Sequence, residues 1–337
     1  MSAAAFASQL EDRVQPAMLA RLAEEIAAVE AELELRLNSE VALVRDCGLH
    51  TLRAGGKRLR PALVTLAAEA TGRPFDPKRS RCLGACMEMI HMATLMHDDV
   101  IDHAATRRGR ETAAARFGNT ASILTGDVLL AKAMSILAED GDLEIIRNVS
   151  RAVVDLAEGE VHELQTRGRI ELTQPEHLEI LRRKTATFIA SCCEVGALAA
   201  GAPPEHVRAL GEYGLAMGMA FQIADDLLDY VAPTESTGKP RWTDFHEGCP
   251  TLPLILIWEQ MGEADQSAFA RSFGNGATSD EVAFLQDRMH SLGAFDQAEA
   301  MARRQVETAV SALLALPENA ARDLLGAVAD FVVWRKA

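Results

Sequence analysis

Alternation of apolar and polar residues, the mark of a half-buried strand, persists nowhere in this 337-residue chain. Apolar residues recur at spacings of three and four instead, which predicts an all-α protein. Nor is there a CxxC pair. Cys47, Cys82, Cys86, Cys192, Cys193 and Cys249 fit no zinc motif and read as reduced core thiols of a cytoplasmic protein. No run of about eighteen uncharged apolar residues is present, which argues against a membrane span. The first thirty residues carry Glu11, Asp12, Arg13 and Glu24 where a secretion signal would be apolar. Positive charge is scarce too. With Lys+Arg 34 against Asp+Glu 49, a formal net charge of -15, the chain lacks the broad basic face that nucleic acid requires. Anionic ligands must be held by local basic clusters, by metal ions, or by both.

What is present is an ordinary globular balance, 48% hydrophobic and 25% charged, with no short repeat and no low-complexity linker. The periodicity predicts helices over 8–36, 57–72, 78–104, 119–139, 142–168, 174–201, 203–232, 251–261, 278–292, 294–315 and 317–336. Thr173 with Glu176 three residues on reads as a helix start, and Gly72 and Gly201 as helix stops. The one long irregular segment, 232–250, is rich in glycine, proline and polar residues, and loops of that length are usually functional.

"DDVID" at 98–102 recurs as "DDLLD" at 225–229, each near the end of a long helical stretch. The first and last aspartates of each cluster are four apart, so on a helix their carboxylates share one face. The flanks "CMEMIHMATLM" and "LAMGMAFQIA" are apolar nearly all round, which predicts that both clusters are buried and need cations. Magnesium, which takes one or two carboxylates together with waters and substrate phosphates, suits such a pair. Two clusters facing each other across a cavity would hold several ions and, through them, a diphosphate. Lys57 and Arg60 at a helix start, with Arg107 and Arg108 just after the first cluster, supply local positive charge for the same kind of ligand.

Seven blocks in order, "GGKRLRPAL", "MEMIHMATLMHDDVIDHAATRRG", "GNTASILTGDVLLAKA", "GEVHELQ", "RRKTATFIASC", "AFQIADDLLDY" and "TGKP...DFHEG...TLPLI", resemble the trans-type isoprenyl diphosphate synthases, the polyprenyl synthetase family, of medium- and long-chain bacterial type. The resemblance runs from about residue 40 to about 260, with a weaker helical tail over 261–337. It implies one domain over 1–337 with the isoprenoid synthase fold, a bundle of long helices around a central cavity, and a homodimer. It also implies condensation of isopentenyl diphosphate with an allylic diphosphate (dimethylallyl, geranyl or farnesyl), with about three Mg2+ ions beside the allylic substrate. Carried over by position, Lys57, Arg60, His91 and Arg108 would hold isopentenyl diphosphate. Asp98, Asp99, Asp102 and Asp225 would bind metal, with Asp226 and Asp229 as ligands or support, and Arg107, Lys184, Thr185, Gln222 and Lys239 match allylic-site positions. Lys184 and Gln222 would lie near the reacting centre, and His97 would orient Asp98 or pack.

Two positions depart from the family pattern. Cys249 stands where a lysine is usual, which predicts one cation fewer near the allylic diphosphate, and Trp242 stands where a small residue is usual. Product length is read from Ala93 and Thr94, on the Asp98 face and about 6–7.5 Å deeper. Both are small, where shorter-chain relatives commonly carry an aromatic floor. A product of thirty to fifty carbons follows, with Ile90 and Met89 one turn deeper as a later floor. The alternatives are a synthase of fifteen to twenty carbons and a noncatalytic partner subunit. A helical phosphohydrolase built on His97 and Asp98 leaves "GGKRLRP" unexplained, and a terpene cyclase would carry an asparagine-serine-glutamate motif in place of "DDLLD".

Overall fold

The structure, a computed structural model, describes residues 16–231 and 241–334. In chain order the elements are α1 (Pro16–Arg36), α2 (Ala42–Arg53), α3 (Leu59–Ala70), α4 (Pro77–Ile101), β1 (Thr106–Arg107), β2 (Arg110–Glu111), α5 (Ala113–Phe117), α6 (Asn119–Asp140), α7 (Leu143–Thr166) and α8 (Gln174–Leu181). A π-helical turn (Arg182–Ala186) follows, then α9 (Thr187–Ala199), α10 (Pro204–Val231), α11 (Thr243–Glu247), α12 (Leu252–Trp258), α13 (Glu263–Ser272), α14 (Ser279–Ser291), α15 (Ala294–Ala312) and α16 (Ala320–Trp334). The protein is all-α, and among the described residues the strands form one hairpin of two-residue strands, pairing Thr106 with Glu111 and Arg107 with Arg110. Of the described residues, 16–149, 192–210 and 314–327 cluster as one compact unit, and 150–191, 211–231, 241–313 and 328–334 as a second.

In the first unit α4 is the central helix, packed by α1, α3 and α6. Asp76 caps it by accepting from Lys78 N at 2.9 Å, and Pro77 occupies its first turn. Its buried residues include Leu83, Cys86, Met87, Met89, Ile90, Met92, Ala93 and Met96. Helix α6 lies along it through Ser122, Thr125, Gly126, Leu129, Ala133, Ile136 and Leu137. By length and composition α6 could cross a membrane, a test it passes despite Asp127 and Lys132 in mid-course. Lys132 Nζ caps the end of α1, donating to Arg36 O (2.8 Å) and Asn38 O (2.6 Å).

In the second unit, glycines set how closely the helices approach. A Cβ on Gly214 would stand 2.7 Å from Ala190 Cα, one on Gly218 2.7 Å from Ala186 Cα, and one on Gly159 2.6 Å from Lys184 N. The backbone of the π turn and the start of α9 is therefore in direct contact with α7 and α10. In the same unit Tyr230, Trp242, Phe245, Phe269, Phe273 and Phe295 form a buried aromatic cluster. Tyr230 and Trp242 meet edge-on at 4.9 Å, as do Trp242 and Phe245 at 5.3 Å.

Several expected boundaries are corrected. The 174–201 segment is two helices joined by the π turn, whose backbone at Lys184 lies against Gly159. Helices α2, α5, α11 and α13 are additional. They are short, and only α5 carries a side-chain cap of its own, Thr112 accepting from Ala115 N. The helix expected from residue 57 begins at Leu59, since Arg58 is left-handed (φ 51, ψ 35). The Thr173–Glu176 capping box forms as read, and Gly72 and Gly201 take positive φ at their helix ends.

Gly214→Ala and Gly218→Ala are expected to destabilise the protein by about 1–3 kcal/mol, since the added methyl meets backbone that cannot yield. Gly326→Ala, in α16 with nothing within 4 Å of its Cβ, should leave stability unchanged or raise it by up to about 1 kcal/mol. Urea melts of the three variants distinguish these outcomes.

Candidate active site

The first acidic cluster sits at the C-terminal end of α4. Asp98 and Asp99 occupy its last turn, and Asp102 caps it, its N–H donating to Asp98 O at 2.8 Å. The i,i+4 ladder therefore forms, but it is not buried as a whole. Asp99 is buried, Asp98 half-buried and Asp102 exposed, because the chain leaves the helix at Asp102. Asp99 Oδ1 accepts from Arg107 Nε at 2.7 Å, so one carboxylate of the ladder holds the first arginine of the hairpin. The hairpin is fixed to α2 by Arg110 Nη1 donating to Arg53 O (2.6 Å) and by the His50 ring, 2.8 Å from Glu111 O.

His91, two turns before Asp98, is part-buried, and its imidazolium is pushed well below its ordinary pKa by burial and then by Arg60, Arg108, Arg107 and Arg58. The ring is neutral at physiological pH, inside a group of guanidiniums that favour an anion. His97 is committed elsewhere. Its ring packs on Gly126, where a Cβ would lie 2.4 Å from Nε2, and Nε2 is 3.2 Å from Ile123 O and 3.5 Å from Asp127. Packing, the second of its expected roles, is the observed one. Ala93, Ile90 and Met89 are fully buried along α4, and Thr94 Oγ1 donates to His91 O at 2.8 Å.

In the second unit the other ladder ends α10. Asp226 is buried, and Asp225 and Asp229 half-buried. His177 Nε2 lies 2.7 Å from Asp226 Oδ2, and since an ionised carboxylate only accepts, that nitrogen carries the proton. Leu252 N donates to the same oxygen at 3.1 Å. Asp229 accepts from Thr243 N (3.1 Å) and Asp244 N (3.3 Å), while its carbonyl takes Trp242 N at 3.0 Å. Asp226 thus ties α8 and α12 to the ladder, and Asp229 caps α11. Trp242, left-handed at φ 65, is held by these bonds and by its ring contacts.

Lys184 is presented by the π turn against Gly159, and its ammonium bonds Glu163 and, at 3.1 Å, Glu160. Those carboxylates raise its pKa against the lowering effect of burial. Thr185 is buried in the same turn and Gln222 is half-buried on α10. At Cys249, burial pushes the thiol up to about 11 while Arg167, hydrogen-bonded to it, acts the other way. A cation from the end of α7 therefore stands beside the position where a lysine was expected. Gly168 N donates to Gly248 O at 2.7 Å and holds these two segments together. Lys239 lies outside the described residues. His177, Glu160 and Glu163 escaped the sequence reading. The two glutamates sit three apart in "GEVHELQ" and face Lys184, whereas His177 had no signal beyond its place after a helix cap.

Among the described residues no three His, Cys, Asp or Glu side chains converge into a metal cage. Paired carboxylates at a helix end instead suit an oxygen-seeking cation that completes its shell with phosphate and water.

A polyprenyl synthetase family model matches residues 41–287. The chain belongs to that family. It is 37% identical to heptaprenyl diphosphate synthase component 2 of Geobacillus stearothermophilus over 94% of this chain and 97% of that protein. With the octaprenyl diphosphate synthase of Escherichia coli (strain K12) it shares 35% identity over 93% and 96%. The crystal structure of polyprenyl synthase from Caulobacter crescentus CB15, complexed with calcium and isoprenyl diphosphate, superposes with a TM-score of 0.89 at 37% identity, covering 96% of this chain and 99% of that one. The fold is the isoprenoid synthase fold of such enzymes, and the chain is a polyprenyl diphosphate synthase, a transferase of prenyl groups.

Glu179, at the foot of the π turn, is pulled down to about 2 by Arg182, with further help from Arg183. A depressed carboxylate stabilises the fold above its ordinary value and loses that contribution as pH falls from there through about 2. Its side chain is 37% exposed, so Glu179→Gln should cost less than about 1 kcal/mol at pH 7. The difference from the parent should shrink in melts run at successively lower pH below the ordinary carboxylate range.

Proposed function

We propose that this enzyme condenses isopentenyl diphosphate head-to-tail with an allylic diphosphate in a magnesium-dependent reaction and releases a polyprenyl diphosphate of thirty to fifty carbons. The observation that carries the reading is geometric: the Arg108 guanidinium closes over the Gly56 backbone just before Lys57, while its neighbour Arg107 pairs with Asp99 of the first ladder, Nε to Oδ1 at 2.7 Å. This is a ready anion site in a strongly acidic chain. Lys57, Arg60, His91 and Arg108 take the diphosphate of isopentenyl diphosphate, where no metal is required. Asp98, Asp102 and Asp225 would hold magnesium ions, with Asp99, Asp226 and Asp229 as further ligands or as support. When bound, the metal neutralises the charge that develops on the allylic diphosphate as its C–O bond breaks.

The chain's own residues bind, orient and exclude water. Asp99 keeps Arg107 at the ladder, and Glu160 and Glu163 keep the Lys184 ammonium fully charged at the allylic diphosphate. Thr185, Gln222 and Lys239 complete the allylic site. No protein nucleophile is needed. The double bond of isopentenyl diphosphate attacks the allylic cation, and a proton leaves to the released diphosphate. Water must stay out, because it would quench the cation.

Product length follows from buried, small Ala93 and from the hepta- and octaprenyl products named for the relatives. A homodimer is part of the same reading. Ile123, Leu124 and Met134 expose an apolar strip on α6 that a second copy would cover.

Purified protein given farnesyl and isopentenyl diphosphates should yield thirty to fifty carbons with Mg2+ and nothing after chelation. Asp98→Asn and Asp225→Asn should each lower kcat by about 10²–10³-fold. Parental turnover in either variant, or in the chelated enzyme, refutes the metal assignment. Ala93→Phe should shorten the product without abolishing coupling, as chain-length analysis of the extracted prenols would show. Unchanged length refutes Ala93 as the level that admits the tail.

A further inference from the structure

Arg58 lies between Lys57 and Arg60 and has no part in the roles described so far. Its backbone is left-handed, a conformation that side chains other than glycine and asparagine rarely adopt. Something must hold it there. Its side chain is buried, and each guanidinium nitrogen bonds a different helix. Nη1 donates to Glu88 Oε1 on α4 at 3.0 Å, Nε to Glu30 Oε1 on α1 at 3.1 Å, and Nη2 to Leu52 O on α2 at 2.5 Å. Glu88 is itself buried, at 4% exposure, one turn before His91. Buried carboxylates are stable only when paired, so the Arg58–Glu88 contact is fixed in place. A Cβ on Gly56 would stand 2.7 Å from Arg108 Nη1 and 3.2 Å from Arg58 Nη1, so both guanidiniums close over the backbone just before Lys57.

We infer that Arg58, anchored by Glu88, is a positioning residue that fixes the path of Gly55–Lys57 and the start of α3, and so sets Lys57 and Arg60 for the diphosphate of isopentenyl diphosphate. Arg58 touches no substrate and acts through its neighbours. The inference rests on the reading of Lys57, Arg60, His91 and Arg108 as that diphosphate's site. A purely structural ion pair would affect melting alone. A positioning pair affects one substrate's KM and spares the other's.

The test is steady-state kinetics with each substrate varied against saturating amounts of the other, beside thermal melts. Arg58→Met/Glu88→Met removes both charges together and strands neither. It should raise KM for isopentenyl diphosphate about tenfold, within the hundredfold that about an ångström of misplacement can cost, while kcat and the allylic KM stay within about twofold. Arg58→Lys retains a cation for Glu88 but cannot span three helices. It should raise the same KM about fivefold, and it decides the matter should the double variant fail to fold. Lys57→Ala tests the site itself. If Lys57→Ala raises KM for isopentenyl diphosphate and the folded Arg58 variants do not, the inference is overturned and the site stands. If Lys57→Ala also leaves it unchanged, the site reading falls, and the inference with it.

Discussion

Carboxylates crowded at the C-terminal end of a helix are the constraint on which the rest depends. Asp98, Asp99 and Asp102 end α4, and Asp225, Asp226 and Asp229 fall within the last two turns of α10. Unpaired carbonyls already make that end of a helix negative, and carboxylates four apart repel one another, so each ladder is unfavourable by itself. Protein donors complete part of each: the Arg107 guanidinium bonds Asp99, and the His177 ring and Leu252 N bond Asp226.

The division of labour within each ladder follows. One buried aspartate in each is bonded to a protein donor: Asp99 to Arg107, and Asp226 to His177 and Leu252 N. Asp98 and Asp225 are half-buried. Asp229, also half-buried, accepts from Thr243 N and Asp244 N. Lys184 follows the same logic with the signs reversed, since Glu160 and Glu163 hold its charge in place. Beside Cys249, Arg167, just past the end of α7, supplies a positive charge where the sequence has no lysine.

Much of this was legible in the sequence for simple reasons. Helical period, the Thr173–Glu176 cap and the stops at Gly72 and Gly201 are local codes, read from residues within a turn of one another. The repeated acidic clusters and the basic cluster before them are local as well. What stayed hidden depends on partners far away in the chain. His177 meets Asp226 forty-nine residues later, Arg58 meets Glu30 and Glu88, and the π turn packs its Lys184 backbone against Gly159. Burial of the first ladder was overestimated for the converse reason. Its apolar flanks describe the helix, whereas Asp102 lies where the helix stops.

The π turn at Arg182–Ala186 inserts one residue beyond a regular winding. Each residue of an α-helix advances the side-chain direction by about 100°, so this surplus residue offsets the phase of α9 against α8 by roughly that angle. Shortening the chain by one residue there would restore an unbroken cylinder with every backbone bond made, yet would swing the Lys184 ammonium away from α7. A helix more regular in its winding would give up the ion pairs that Lys184 makes with Glu160 and Glu163.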